Sequence, residues 1–386
     1  MPLYLRFLKP PRCTLSGSSR TKYLIVSTLV TITSDLGESF YPDQATLKCD
    51  LWGQANADLP PSNNQGTCLI SSVNLTWNAG SRNIKVEMNT SIPPRGCLAR
   101  EDCELVLSVS SENPKCADNL LEYHPGLGTV IISAWSAPFK IPKRGVGPSA
   151  EGFVERRLQL SRSCTLRVWE ETGESIARHI WDGGVAFAAY LAQYHQSNQG
   201  SLGLLQEKIQ ETKQLKVLEL GSGCGIVGLA LAAIRGSCHV LLTDLPSAEK
   251  ISQRNLQYSR KQLQGDVSFQ IFDWDDPVPP STSPDIILIA DCTYNPDSAA
   301  SLVRAIENCV NGSRDTIIAL AHKKRHDSET LFFDLMGKRF QIVNHSEFST
   351  LPGSGKLCNQ DTYSGIGTEP VDLYTFRLRS ELCLIE

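Results

Sequence analysis

Lys216–Asp244 reads KVLELGSGCGIVGLALAAIRGSCHVLLTD, and the fold follows from this stretch. An apolar run from Val217 to Leu220 ends in glycines at 221, 223 and 225. A helix-like run follows from Ile226, and a second apolar run from Val240 stops at Asp244. This is the pattern of a β-turn-α-β unit built around a ligand. The glycines let the backbone turn sharply and approach a bound group, and the helix N-terminus points free N–H groups at it. An acid at the tip of the second strand can accept hydrogen bonds from ribose hydroxyls. The implied ligand carries an adenosine.

Two ligands compete for the loop, because Gly223, Gly225 and Gly228 also spell the dinucleotide fingerprint G-x-G-x-x-G, with Asp244 behind it. Glu219 shifts the balance. An acid just before the first glycine can neutralise a cationic amino group and would repel a pyrophosphate. S-adenosylmethionine (SAM) carries such an amino group and no phosphate, so electrostatics favours it over NAD. A ligand-free structural turn is the remaining alternative.

The chain has 386 residues, comfortable for two domains, with 41% hydrophobic and 20% charged residues and a net charge of −4. That charge gives no long-range attraction to nucleic acid, and no basic stripe with interleaved aromatics is present, so nucleic acid is not expected as a partner. The apolar stretch Tyr23–Ile32 is ten residues long, contains Ser27, Thr28 and Thr31, and reads as a strand. With neither a signal peptide nor a membrane span read, a cytoplasmic protein without a membrane partner is expected. The thirteen cysteines show no C-x-x-C and no Cys/His cluster at zinc spacing, so no metal is expected. They are expected to be mostly small buried hydrophobes, and a disulfide between the closest pair, Cys97 and Cys103, is disfavoured.

Residues 1–150 read as a β-rich accessory region. Short β-prone runs at 24–33, 68–77, 83–88, 104–109 and 128–134 alternate with turn-rich pieces at 56–66, 91–96 and 111–113. Lys140–Gly152 looks like a linker. Residues 151–386 read as the catalytic domain, where strands are expected at 217–220, 239–243, 267–272, 285–290 and 315–321. Helices are expected at 226–235, 247–259, 297–311 and 327–338. Two last strands at 341–348 and 373–379, joined through Thr350–Glu369, suit an antiparallel hairpin. An α/β, Rossmann-like, seven-stranded sheet ending in a hairpin is the architecture of class I SAM methyltransferases.

The segments VLELGSGCGIVGLALA with TD at 243–244, FDWDD at 272–276 and IADCTYNPD at 289–297 resemble the seven-β-strand protein-lysine methyltransferases of methyltransferase family 16. That family includes the fungal enzymes that methylate elongation factors. The likeness covers about residues 160–350, and its most specific sign is the D-x-x-Y element Asp291-Cys292-Thr293-Tyr294. It implies SAM against Gly221, Ser222 and Gly223 in a loop completed by Gly225, with ribose on Asp244. Adenine would lie between Leu245 and Trp274, with Asp273 near its amino group. Trp181 would close over the cofactor and Ala290 would contact it; packing alone is the alternative for both tryptophans. Asp291 and Tyr294 would hold the target amine, the alternative being a turn cap and a packing ring.

Lys323, Lys324 and Arg325, after the fifth strand on the same sheet edge, read as a solvated charge run, the alternative being a contact for an acidic substrate. The resemblance implies a protein-lysine N-methyltransferase acting on a cytosolic protein such as a translation elongation factor, and a monomer is expected. The nearest alternative is a small-molecule, nicotinamide-like N-methyltransferase with an enclosed pocket beside Asp291. A cofactor-binding protein without turnover and an NAD-dependent oxidoreductase are more distant ones. Every expected cofactor contact lies between Trp181 and Ala290, so residues 1–150 are expected to be dispensable for cofactor binding.

Overall fold

Parallel strands buried on both faces must be apolar throughout, and the runs VLEL, VLLT, IILIA and IIALA form such a sheet. The computed structural model describes residues 2–17, 22–55, 67–91, 103–114, 116–123, 130–173, 176–195, 200–281, 283–348 and 370–379. The sheet comprises β1 (Leu215–Leu220), β2 (Cys238–Asp244), β3 (Asp266–Ile271), β4 (Ile286–Ala290), β5 (Ile317–Lys323), β6 (Phe340–Glu347) and β7 (Val371–Leu378). Its spatial order is β3-β2-β1-β4-β5-β7-β6. The first five strands run parallel, whereas β7 is antiparallel to β5 and β6, as the expected terminal hairpin requires. The connection expected through Thr350–Glu369 lies outside the described residues.

Among the described residues six helices accompany the strands: α1 (Asp182–Tyr194), α2 (Gly203–Gln210), α3 (Ile226–Ile234), α4 (Pro246–Ser259), α5 (Pro296–Val310) and α6 (Thr330–Arg339). Side-chain alternation splits the core between the two sheet faces. Val217, Ile286 and Leu288 pack with α1 and α3, while Leu218, Ile287 and Ile289 pack with α5 and α6. The helix expected at 327–338 opens with a 3-10 turn at Asp327–Glu329, closed by a reciprocal cap between His326 and Glu329, before α6 begins.

The β-rich region forms two further sheets. One joins Gly145–Ser149, Pro2–Gly17, Lys22–Thr33 and Ile84–Ser91 in that order, with Val130–Ile132 beside Pro2–Gly17. The other orders Thr165–Glu171, Phe153–Gln159, Ala134–Ser136, Cys103–Asn113, Ala45–Ala55 and Thr67–Trp77. The presumed linker is thus partly a strand, since Ser149 and Val146 pair with Arg12 and Thr14. Sequence reading misses Pro2–Gly17 because Pro10 and Pro11 interrupt it, and register shifts between Lys9 and Arg12 absorb them.

The hairpin Phe153–Gln159/Thr165–Glu171 follows residue 150 in sequence yet is hydrogen-bonded to Ala134–Ser136, so the second sheet runs across that point. Its buried Arg156 and Glu170 pair at 2.5 Å. Tyr4, Leu5, Ile32 and Leu107 share one continuous apolar cluster with Phe187 of α1 and Leu229 of α3. One cysteine departs from expectation. Cys68 is disulfide-bonded, and because every other described cysteine is free, its partner lies outside the described residues, as does Cys97.

Candidate active site

The glycine loop follows β1 and caps α3. Gly221, Gly223 and Gly225 have φ of 65°, 52° and 74°, the left-handed region that side-chain-bearing residues rarely adopt. A Cβ at Gly221 would stand 2.5 Å from Cys292 Sγ, so the loop is also crowded. Asp244, at the end of β2, ties the loop down: its Oδ2 accepts from the Gly223 N–H at 2.7 Å and its Oδ1 from the Leu245 N–H at 2.7 Å. Each carboxylate oxygen keeps a second lone pair for a ligand hydroxyl.

A cavity of about 410 Å³ opens between the loop, the ends of β2 and β4, and the segment before α1. Trp181, Glu219, Gly221, Ser222, Gly223, Asp244, Leu245, Asp273, Trp274, Ala290, Asp291 and Tyr294 all line it. Gly225 does not line it and instead provides the N-cap of α3. Ala177, His179, Phe272, Cys292 and Asn295 complete much of the wall without having been singled out. Of these, Cys292 lies inside the D-x-x-Y element and Phe272 beside Asp273, so sequence proximity was the available signal.

Glu219 is 2% exposed, and its Oε2 accepts from the Gly228 N–H at 2.7 Å. That contact needs a glycine, because a Cβ at 228 would stand 2.5 Å from the same oxygen. Burial pushes the Glu219 carboxyl up to about 8; the Gly228 N–H bond opposes the rise and nearby Asp244 adds to it. A cationic group entering the cavity would restore the ionised form. Ser222 Oγ is buried in the same wall without a hydrogen-bond partner in the structure. An orphaned hydroxyl, a buried acid awaiting a cation, a tethered acid for ribose and a glycine cradle fit SAM.

The Glu219 shift also makes a stability prediction for the ligand-free protein. A carboxyl raised from 4.5 to about 8 by folding contributes stability below pH 4.5 that is lost as the pH rises through 8. The melting temperature should therefore decline between about pH 5 and pH 8, and Glu219→Gln should flatten the decline. Equal slopes for the two proteins in calorimetry would place the titration elsewhere.

Asp291 is buried at the end of β4 with φ 52°. Its Oδ2 accepts from the Gly183 N–H of α1 at 2.6 Å and lies 3.3 Å from Arg325 Nη2, and its Oδ1 accepts from the Lys323 N–H at 3.2 Å. Gly183 has to be a glycine here, since a Cβ would stand 2.7 Å from the carboxylate. Tyr294, by contrast, is 47% exposed at the cavity rim.

Behind Asp291 lies a buried charge network that corrects the reading of 323–325 as a solvated run. Lys323 Nζ donates to Asp182 Oδ2 at 2.6 Å and lies 3.5 Å from Asp35 Oδ1; Arg325 Nη2 donates to Asp35 Oδ2 at 2.8 Å. Only Lys324 of the three conforms, half-exposed and paired with Asp327 at 2.7 Å. Tyr4 O–H donates to Asp182 Oδ1 at 2.8 Å. Burial and the neighbouring Asp35 raise the Asp182 carboxyl to about 6, against the pull of Lys323 and Tyr4. Two of these residues, Tyr4 and Asp35, come from the β-rich region.

Residues 160–339 match the family model described as lysine methyltransferase. A UPF0665 family protein of Schizosaccharomyces pombe is 27% identical over 306 residues, covering 78% of this chain and 84% of that protein. That alignment is longer than the chain beyond residue 160, so it extends into the β-rich region. Protein-lysine N-methyltransferase EFM6 of Saccharomyces cerevisiae is 27% identical over 225 residues, 54% of this chain and 87% of that protein. EEF1A lysine methyltransferase 3 of Xenopus tropicalis is 24% identical over 178 residues, 45% of this chain and 72% of that protein. Residues 160–339 therefore resemble the lysine methyltransferase family, on a seven-stranded fold whose methyl donor is SAM.

Proposed function

We propose that the enzyme methylates a lysine ε-amine of a protein, that the acceptor is a translation elongation factor, and that the reaction takes place in the cytoplasm. The observation that carries the protein acceptor is the gradient of exposure across the cavity. Glu219, Ser222 and Asp291 are buried, whereas Tyr294, Asn295 and Asp297 stand exposed on its rim, so the cavity opens to the surface beside the D-x-x-Y element. A nicotinamide-like acceptor would suit an enclosed pocket instead. The likeness to EEF1A lysine methyltransferase 3 supports the elongation factor. Among the described residues no helix is long and apolar enough to cross a membrane.

In this reading Trp181, Glu219, Gly221, Ser222, Gly223, Asp244, Leu245, Asp273, Trp274 and Ala290 hold SAM, with Gly225 shaping the loop. When bound, SAM supplies an electrophilic methyl group for in-line displacement. The protein then has to hold a neutral amine in line and let its proton leave. Asp291 places a carboxylate at the inner end of the cavity, and Tyr294 offers a ring face to a cation at the rim. Incubation with tritiated SAM and unmethylated elongation factor 1A should label the factor at a lysine, read by mass spectrometry. Label on nicotinamide with none on the factor would favour the small-molecule acceptor.

A further inference from the structure

Asp35 follows the strand Lys22–Thr33 and lies 290 residues from Arg325 in sequence, yet their side chains meet at 2.8 Å. The Asp35 side chain is 1% exposed. Its Oδ2 also lies 3.4 Å from the Asp182 N–H at the start of α1, and its main-chain oxygen accepts from Arg6 Nη2 at 2.9 Å. The same Arg325 nitrogen that meets Asp35 reaches Asp291 Oδ2 at 3.3 Å, and the guanidinium carbon sits 5.2 Å from the Trp181 ring centroid. Trp181 and Asp291 line the cofactor cavity. Asp35 lines a neighbouring cavity of about 350 Å³, and the two cavities share His179 and Trp181 as a common wall. Asp35 thus shares a cavity with the far side of that wall.

Stability alone does not call for charges here. A buried ionic cluster is often no more stable than apolar side chains of equal volume, but losing one member leaves the others with an uncompensated charge. Without Asp35, the Arg325 guanidinium would be held by Asp291 alone, and the Trp181 face it covers would lose its fixed neighbour. A displacement near 1 Å in a reacting site can lower a rate by on the order of 100-fold.

We propose that Asp35, supplied by the β-rich sheets and not by the methyltransferase fold, is a positioning residue for methyl transfer: it fixes Arg325 between Trp181 and Asp291. This rests on the reading of the chain as a protein-lysine methyltransferase. The full chain and its Asp35→Asn, Arg325→Lys, Trp181→Phe and Asp50→Asn variants would be compared, the last altering a carboxylate of the outer β region. Thermal melting checks the fold. [Methyl-13C]SAM reports the environment of the methyl group by NMR, S-adenosylhomocysteine titration gives affinity, and tritium transfer to elongation factor 1A gives kcat and KM.

Asp35→Asn should move the bound methyl resonance toward that of Trp181→Phe and lower kcat at least about 10-fold with KM nearly unchanged. Affinity for S-adenosylhomocysteine should change less than about 3-fold, and Asp50→Asn should match the wild type throughout. Arg325→Lys should reproduce the resonance shift, which covers the case in which Asp35→Asn does not fold. A folded Asp35→Asn protein that is merely less heat-stable, with wild-type resonance and kcat, would overturn the proposal. Should the wild type bind SAM but leave elongation factor 1A unlabelled, the proposed acceptor fails while the resonance comparison still decides the role of Asp35.

Discussion

A chain starting at Gly152 is expected not to fold, and with its fold it should lose SAM binding. Truncation there removes Tyr4 and Asp35, leaving Lys323 with Asp182 and Arg325 with Asp291 as their remaining partners in the charge network. Stripping one partner from a buried ion pair costs about 3–5 kcal/mol. The loss of Asp35 is thus a sizeable share of the net stability of a domain, about 5–15 kcal/mol. The deletion also strips the apolar cluster shared with Phe187 and Leu229, and leaves Phe153–Gln159 without its neighbour Ala134–Ser136. An unpaired, apolar-flanked strand edge then favours aggregation. Circular dichroism and S-adenosylhomocysteine titration of the truncated chain check this. A soluble, cooperatively melting fragment with wild-type affinity would show residues 1–150 to be dispensable for cofactor binding, the expectation drawn from the sequence.

Asp291→Asn should lower methyl transfer to a protein acceptor at least about 10-fold while cofactor affinity changes only a few-fold. Asparagine tolerates the left-handed backbone at this position and keeps the side chain's shape, so the loss reports the charge together with the one acceptor that the amide nitrogen replaces. It removes the carboxylate that meets Arg325 and weakens the bond from the Gly183 N–H. Alanine confounds the test, since it vacates three polar contacts at once in a strained backbone. Tyr294→Phe, at the exposed rim, separates the hydroxyl from the ring. Steady-state kinetics on an identified acceptor, beside calorimetric binding of S-adenosylhomocysteine, gives the answer. An unchanged rate for Asp291→Asn would make the D-x-x-Y aspartate a tether for α1 and β5 and nothing more.

The catalytic sheet was legible because its determinants are local. Glycines 221, 223 and 225 sit within five residues of each other, and Asp244 ends the adjacent strand, so loop, strand and acid are read from one contiguous segment. The β-rich region was only half legible. Ile84, Val86 and Met88 show a clear two-residue period, and so do Leu47, Cys49 and Leu51 of Ala45–Ala55, a strand not among those expected from the sequence, whereas the prolines in Pro2–Gly17 obscure it. The charge network was not legible. Three consecutive basic residues look like surface, and nothing near them in sequence announces that Asp35 and Asp182 will bury two of them. Asp182 stands beside Trp181, but its partners Tyr4 and Lys323 lie 178 and 141 residues away.

That separation sets an order of events during synthesis. At roughly 5–20 residues per second, Arg325 emerges about 15–60 s after Asp35. Through that interval the β-rich half carries a carboxylate, and the Tyr4 hydroxyl, whose final partners do not yet exist. The two halves cannot mature one after the other. The first sheets must wait, open on their inner side, for the last third of the chain, which makes this protein a candidate for holding by chaperones until translation is nearly complete.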